Sequence, residues 1–158
     1  MKKLLGIVAV VLFGAVLVAS IMTRPPSSVS DNRLLAGAKV PPRVLAVIER
    51  SCRDCHSYAT RYPLYSYVFP ISRLIGDDVK RGREHLNFSQ WSQYPVVRQE
   101  RALSEIANQV QDGGMPLTIY TWMHRDAKLS EADVDAIFAW TQEERMRLIQ
   151  GAQAESSK

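Results

Sequence analysis

The chain has 158 residues, 46% of them hydrophobic and 23% charged, and a formal net charge of +4. Once its terminal segments are set aside, this is one domain's worth of chain. Two cysteines are too few for a disulfide framework. No basic cluster carries interleaved aromatics, so nucleic acid is not an expected partner.

In chain order, Lys2 and Lys3 precede an unbroken apolar or small-residue run of 19 residues, Leu4 to Met22. At ~1.5 Å per residue that run spans roughly 28 Å, close to the hydrocarbon thickness of a bilayer. A secretory signal has a shorter apolar core, about 7–15 residues, and a small-residue cleavage site. Val18-Ala19-Ser20 fits such a site only imperfectly. Residues 1–22 are therefore read as an uncleaved signal anchor and transmembrane helix, with a cleaved signal as the alternative. Both lysines lie ahead of the run, so the positive-inside rule leaves the amino terminus in the cytoplasm and exports the rest.

Residues 23–34, with Pro25, Pro26 and several serines, read as a linker that holds the following domain off the membrane. Residues 35–150 are the expected domain. Residues 151–158 form a small, polar tail expected to be flexible.

Pro41 and Pro42 open a segment in which Val44, Val47, Ile48, Cys52 and Cys55 recur at steps of three and four. That spacing predicts a helix with both cysteines on its apolar face. Cys52-Arg53-Asp54-Cys55-His56 reads C-x-x-C-H, the attachment signal for a c-type haem. Two thiols three positions apart reach the two vinyl groups of one haem, and the following imidazole falls beneath the ring, where it ligates iron. A thioredoxin-like redox pair needs a βαβ context, which the pattern lacks. A zinc site needs two further Cys or His ligands, and His85 and His124 are isolated. One covalently attached haem c is the expected cofactor. Haem of this type is attached outside the bacterial inner membrane, which agrees with export of the domain. The predicted location is a single-pass inner-membrane protein with its C-terminal domain in the periplasm, or a soluble periplasmic protein if the signal is cleaved.

Pro70 followed by Ile71, Leu74 and Ile75 signals a weaker helix. A third runs from about Arg98 to Gln111, with Leu103, Ile106, Ala107 and Val110 on one face, and stops at Gly113-Gly114. The last begins after Ser130, an N-cap residue followed by Glu131 and Asp133, and continues through Leu148. No stretch alternates as a strand would. The fold class expected is all-α.

Several blocks match a known pattern in order and spacing. They are His56-Ser57, Thr60, Pro63 and Tyr65; Asp78-Val79 and Gly82-Arg83; Leu86-Asn87-Phe88-Ser89, Trp91 and Tyr94; Met115-Pro116-Leu117, Tyr120 and His124; and Leu129-Ser130. Over about residues 35–142 the chain resembles the bacterial haem-binding domain family of small single-haem c-type cytochromes. Leu64 stands where tryptophan is expected, and Arg125 where proline commonly follows the histidine. The resemblance implies a cytochrome c-like domain whose first and last helices pack across each other beside the haem.

Four residues compete for the sixth iron position: Met115, Met123, His124 and His85. Met115 is the choice. It sits in Gly113-Gly114-Met115-Pro116, where glycines let the backbone approach the haem and proline stiffens the loop. A loop of this type before the last helix is also how many cytochromes c present their axial thioether. His124 is the runner-up, with hydrogen bonding to a propionate or the loop as its blander role. Met115 as packing is the plain alternative, His85 reads as a surface histidine and Met123 as packing. An open sixth position remains the last alternative. Arg73, Arg81 and Arg83 are candidates to pair with propionates, and the carbonyl of Pro63 or Pro70 is a candidate acceptor for the His56 ring N–H.

The expectation is a membrane-anchored, non-enzymatic electron carrier with haem held by Cys52, Cys55, His56 and Met115, serving membrane-bound redox partner proteins. A thioether in the sixth position leaves no room for substrate. The alternatives are a haem sensor or peroxidase-like protein with an open sixth site, and an accessory haem subunit of a respiratory or dehydrogenase complex.

Overall fold

The structure is a computed structural model that describes residues 1–29 and 33–156. The part of the expected linker at 30–32 and the tail residues 157–158 lie outside the described residues.

Helix α1 is Lys2–Met22. It is long and apolar enough to cross a membrane, with a mean hydropathy of 2.9 and no residue buried in the protein. The expected linker does not run free. Val29 N–H donates to the Tyr58 carbonyl at 2.8 Å, and the Ser28 hydroxyl to the Thr60 carbonyl at 2.6 Å.

The domain is built of helices, and no strand occurs among the described residues. Helix α2 is Pro42–Ser51 with Pro42 at its first position, where the missing N–H leaves no bond unmade. It ends at Cys52, whose φ of −124° breaks the spiral, and one further turn, α3, covers Arg53–His56. A 3-10 turn, Leu64–Tyr67, leads to α4, Ile71–His85, which starts after Pro70 as the sequence predicts. A second 3-10 turn, Phe88–Gln93, precedes α5, Val96–Gln111. The short α6, Thr118–Met123, and a 3-10 turn, Arg125–Ala127, lead to α7, Glu131–Ser156.

The core forms where α5 and α2 pack on α7. Val44, Val47 and Ile48 of α2 meet Leu103 of α5 and Ile137 and Trp140 of α7, all at most 2% exposed. Full burial of each such side chain contributes roughly 1.5–3 kcal/mol. Contact between the first and last helices of the domain is what the resemblance implied. The segment before α2 is sewn to α7. Trp140 Nε1–H donates to the Lys39 carbonyl at 3.0 Å, and Arg147 bridges the Gly37 carbonyl, at 3.1 Å, and the buried Glu144 carboxylate. These elements form a packed base, and α3, α4 and α6 are arranged beside it.

Candidate functional site

The tight turn after α2 places the three motif residues. Both the Cys55 and His56 amides donate to the Cys52 carbonyl, at 3.3 and 3.0 Å. Cys52 packs against the core, and Cys55 lies in the wall of a cleft. Burial pushes the Cys52 thiol up to about 12, with the neighbouring Cys55 adding to it. Burial, then the Asp54 and Asp78 carboxylates, pushes Cys55 up to about 11. Both sulfurs are therefore held as thiols. A reactive redox pair needs the opposite, a depressed value.

The His56 ring is fixed from one side. Its Nδ1 lies 3.0 Å from the Gly82 carbonyl and 3.1 Å from the Leu86 carbonyl. Carbonyl oxygens only accept, so Nδ1 carries the proton and Nε2 keeps its lone pair. Burial lowers the pKa of this imidazole, against the pull of the two carbonyls, which favours the neutral, ligating form. The approach of α4 depends on Gly82, where a Cβ would come within 2.6 Å of the Cys55 carbonyl oxygen. A glycine at 82 is what lets its own carbonyl reach His56. Arg83, the next residue, secures the chain beyond the motif. Its guanidinium donates to the Ser57 carbonyl at 2.8 Å, the Thr60 hydroxyl at 2.9 Å and the Ser27 carbonyl at 3.1 Å.

The cleft has a volume of about 230 Å³ and lies between residues 60–65, α4 and α6. Ile71, Leu74, Ile119, Trp122 and Met123 line it and are 42–71% exposed. So much open apolar surface around one cleft marks a site for an apolar partner. Of the motif residues, Cys55 lines this cleft, with Cys52 packed on the core behind it and His56 next in the chain. A flat apolar macrocycle, two adjacent thiols and an imidazole with a free nitrogen are mutually suited, and the residue types present fit a haem.

Beside the cleft is a polar pocket of about 360 Å³. Asp54, only 7% exposed, is in its wall. That carboxylate accepts from the Arg61 amide at 3.1 Å, from Arg61 Nε at 3.2 Å and Nη2 at 3.1 Å, and from the Tyr120 hydroxyl at 3.0 Å. Burial and the Asp54 charge push the Tyr120 phenol above its ordinary range, so it remains a donor. The bond ties α3 to α6.

The four candidates for the sixth position are separated by the structure. His124 and Met123 line the cleft with Cys55. The His124 ring stacks on Tyr120 at 4.4 Å. Its Nδ1 lies 3.2 Å from the Tyr120 carbonyl, and its Nε2 3.3 Å from the Tyr65 hydroxyl. The carbonyl fixes the proton on Nδ1, so Nε2 accepts from Tyr65. Met115 is partly buried in the loop after α5, two residues before Leu117, which lines the cleft. Its amide and that of Gly114 both donate to the Gln109 carbonyl, at 3.1 and 2.9 Å. Gly113, at φ +68°, supplies the left-handed turn that ends α5. His85 is exposed at the end of α4.

Residues 11–143 match the model of the family described as haem-binding domain. The chain belongs to this haem-binding family. Over 124 residues it is 27% identical to the cytochrome c peroxidase Ccp of Escherichia coli strain K12. The match covers 75% of this chain and 24% of that relative, so the chain spans about a quarter of the relative's length. No solved structure matches the chain.

One expectation about the surroundings of the motif residues is corrected, and two of the arginines named as propionate candidates have protein partners. Neither Pro63 nor Pro70 offers the carbonyl to His56; Gly82 and Leu86 do. Arg83 is committed to protein carbonyls and the Thr60 hydroxyl, and Arg81 to Asp78 and the Asp77 carbonyl, at 3.3 Å each. Asp54, Tyr65 and Tyr120 were not singled out for any role. Tyr65 and Tyr120 stand in the blocks that carry the family resemblance, and Tyr120 lies four residues before His124, the distance at which helical side chains share a face.

Proposed function

We propose that this protein is an outward-facing, single-haem c-type cytochrome, anchored in a membrane by α1, that carries one electron at a time. In this reading Cys52 and Cys55 would hold one haem through thioether bonds, and His56 Nε2 and Met115 would ligate its iron. Haem supplies the one-electron redox chemistry. The chain's part is to orient His56, exclude water with the apolar wall and keep both thiols protonated until attachment. The observation that carries the reading is the pair of carbonyls on His56 Nδ1, which fixes the tautomer a haem ligand needs, directly behind C-x-x-C. Membership of a haem-binding family supports it. The partners are membrane-bound redox proteins, and the domain faces the periplasm.

A second reading of the axial set rests on the geometry of His124. Its Nδ1 is tied to a backbone carbonyl as that of His56 is, and its ring lines the cleft, so ligation requires Nε2 to give up the bond from the Tyr65 hydroxyl. Ligation by His124 gives a bis-histidine haem of lower potential than a His/Met one.

The absorption spectrum of the oxidised full chain, with Met115→Ala and His124→Ala variants, decides between them. The weak long-wavelength sulfur-to-iron band is expected, with its loss in Met115→Ala. A low-spin spectrum without that band, changed only by His124→Ala, replaces Met115 with His124. A high-spin spectrum and rapid stoichiometric binding of carbon monoxide by the ferrous form would overturn simple electron transfer. That outcome would favour a peroxidase-like or sensing role, in the direction of the peroxidase named above. Cys52→Ala/Cys55→Ala should abolish haem staining on a denaturing gel, and normal staining would refute covalent attachment.

A further inference from the structure

The cleft accounts for only part of the exposed apolar surface. Leu64, Tyr67, Val68 and Phe69 are 89%, 44%, 50% and 37% exposed. They lie on the 3-10 turn before α4 and the residues after it, outside the cleft wall.

This patch is bonded to the end of α1. The Phe69 N–H donates to the Ser20 hydroxyl oxygen at 2.9 Å, and that hydroxyl donates to the Val16 carbonyl at 2.7 Å. One turn later, Thr23 Oγ1 lies 2.6 Å from Ser72 Oγ and 2.7 Å from the Ala19 carbonyl. A hydroxyl has one proton, and that of Thr23 goes to the carbonyl, so Ser72 is the donor to Thr23. Residues 69–72 are thus in register with residues 20–23.

That register sets depth. A bilayer's hydrocarbon core is about 30 Å thick, and a helix rises ~1.5 Å per residue, so a core beginning at the two lysines ends near Ser20 to Thr23. The Phe69 backbone is then level with the outer hydrocarbon edge, with Tyr67 and Val68 just before it in the chain and Leu64 at the start of the same 3-10 turn. Water is a poor partner for four apolar side chains at that level. The flanking residues suit lipid as well. Arg24, directly after the C-cap residue Thr23 of α1, is exposed. The Arg73 side chain, in the first turn of α4, is 69% exposed and only loosely paired with Asp77 at 3.8 Å. Guanidinium groups at this height match lipid phosphates, and Tyr67 is a residue type enriched at membrane interfaces.

We propose that Leu64, Tyr67, Val68 and Phe69 are a docking surface for the outer face of the bilayer, so that the domain lies against the membrane with its cleft beside the lipid. The proposal rests on the anchored reading of α1.

The test uses the full haem-loaded chain in vesicles of phosphatidylcholine and phosphatidylglycerol. A fraction of the lipid carries a photoreactive diazirine high in its acyl chain, and cross-linked peptides are identified by mass spectrometry. Lipid adducts are expected on α1 and on the peptide bearing residues 64–69, several-fold above those on α5. Adducts on α1 with none above the α5 level at 64–69 would overturn the docking surface and leave the anchor standing. No adducts on α1 would overturn the anchored reading, and the docking surface with it.

Discussion

Gly82 is the tightest point of the site. A Cβ at 82 would press on the Cys55 carbonyl at 2.6 Å, a backbone atom that cannot swing away. Gly82→Ala should push α4 outward and pull the carbonyls off His56 Nδ1. An overpacking cost of roughly 1–3 kcal/mol is expected, with a lower haem-to-protein absorbance ratio in the purified protein. Tyr120→Phe removes one bond to the Asp54 carboxylate. Because Tyr120 is only partly buried, its loss should cost about 1.5 kcal/mol, the low end for a bond to a charged group, read from the thermal midpoint with haem retained. At this scale the motif was legible and its supports were not. Cys52, Cys55 and His56 are contiguous, so their chemistry shows in the sequence. Gly82 and Leu86 reach His56 across 26 and 30 positions. The proline carbonyls expected in their place fail because that pairing is set by how α4 packs, which spacing does not encode.

Among the elements, α7 shows how its terminus is fixed. The Ser130 hydroxyl accepts from the Asp133 amide at 3.2 Å and donates to the Asp133 carboxylate at 2.7 Å. The same carboxylate takes the Ser130 N–H at 3.0 Å and Arg50 Nη2 at 2.6 Å, closing a capping box and tying α7 to α2. Ser130→Ala should cost about 1 kcal/mol of stability. The Ser130 hydroxyl and amide, then Arg50, hold the Asp133 carboxyl below the usual carboxylate range. A depressed folded value means this stabilisation is complete above the ordinary carboxylate pKa, ~4, and is lost as pH falls through the lower folded one. Asp133→Asn should therefore flatten the acid limb of a plot of melting temperature against pH. The cap, the proline before α4 and the glycines after α5 were all readable, because each acts within one turn. The break at Cys52 and the short α6 were not. Cys52 continues the apolar spacing of α2, so periodicity ran on through it, and α6 has too few turns to show any.

For the whole molecule, one prediction concerns α1. Replacing residues 1–22 with a cleavable export signal should give a haem-loaded domain that a carbonate or salt wash removes from membranes. A small apolar patch binds lipid weakly and reversibly, whereas a spanning helix does not let go. Retention through the wash, with no other protein bound, would contradict the anchor. The all-α class and the apolar first helix were legible from composition and periodicity alone. The course of residues 23–29 was not: their prolines and serines suggested a free spacer, yet Ser27, Ser28 and Val29 are bonded to the domain. With α1 in a bilayer, that lacing removes most of the tumbling a flexible leash would allow. Under the proposed electron-carrier reading, encounter with a membrane-bound partner would then become a lateral search in a plane with orientation already set. Part of the rotational entropy otherwise lost at each docking is surrendered once, at folding. Lengthening the 23–29 segment should slow electron exchange with such a partner while leaving the haem spectrum unchanged.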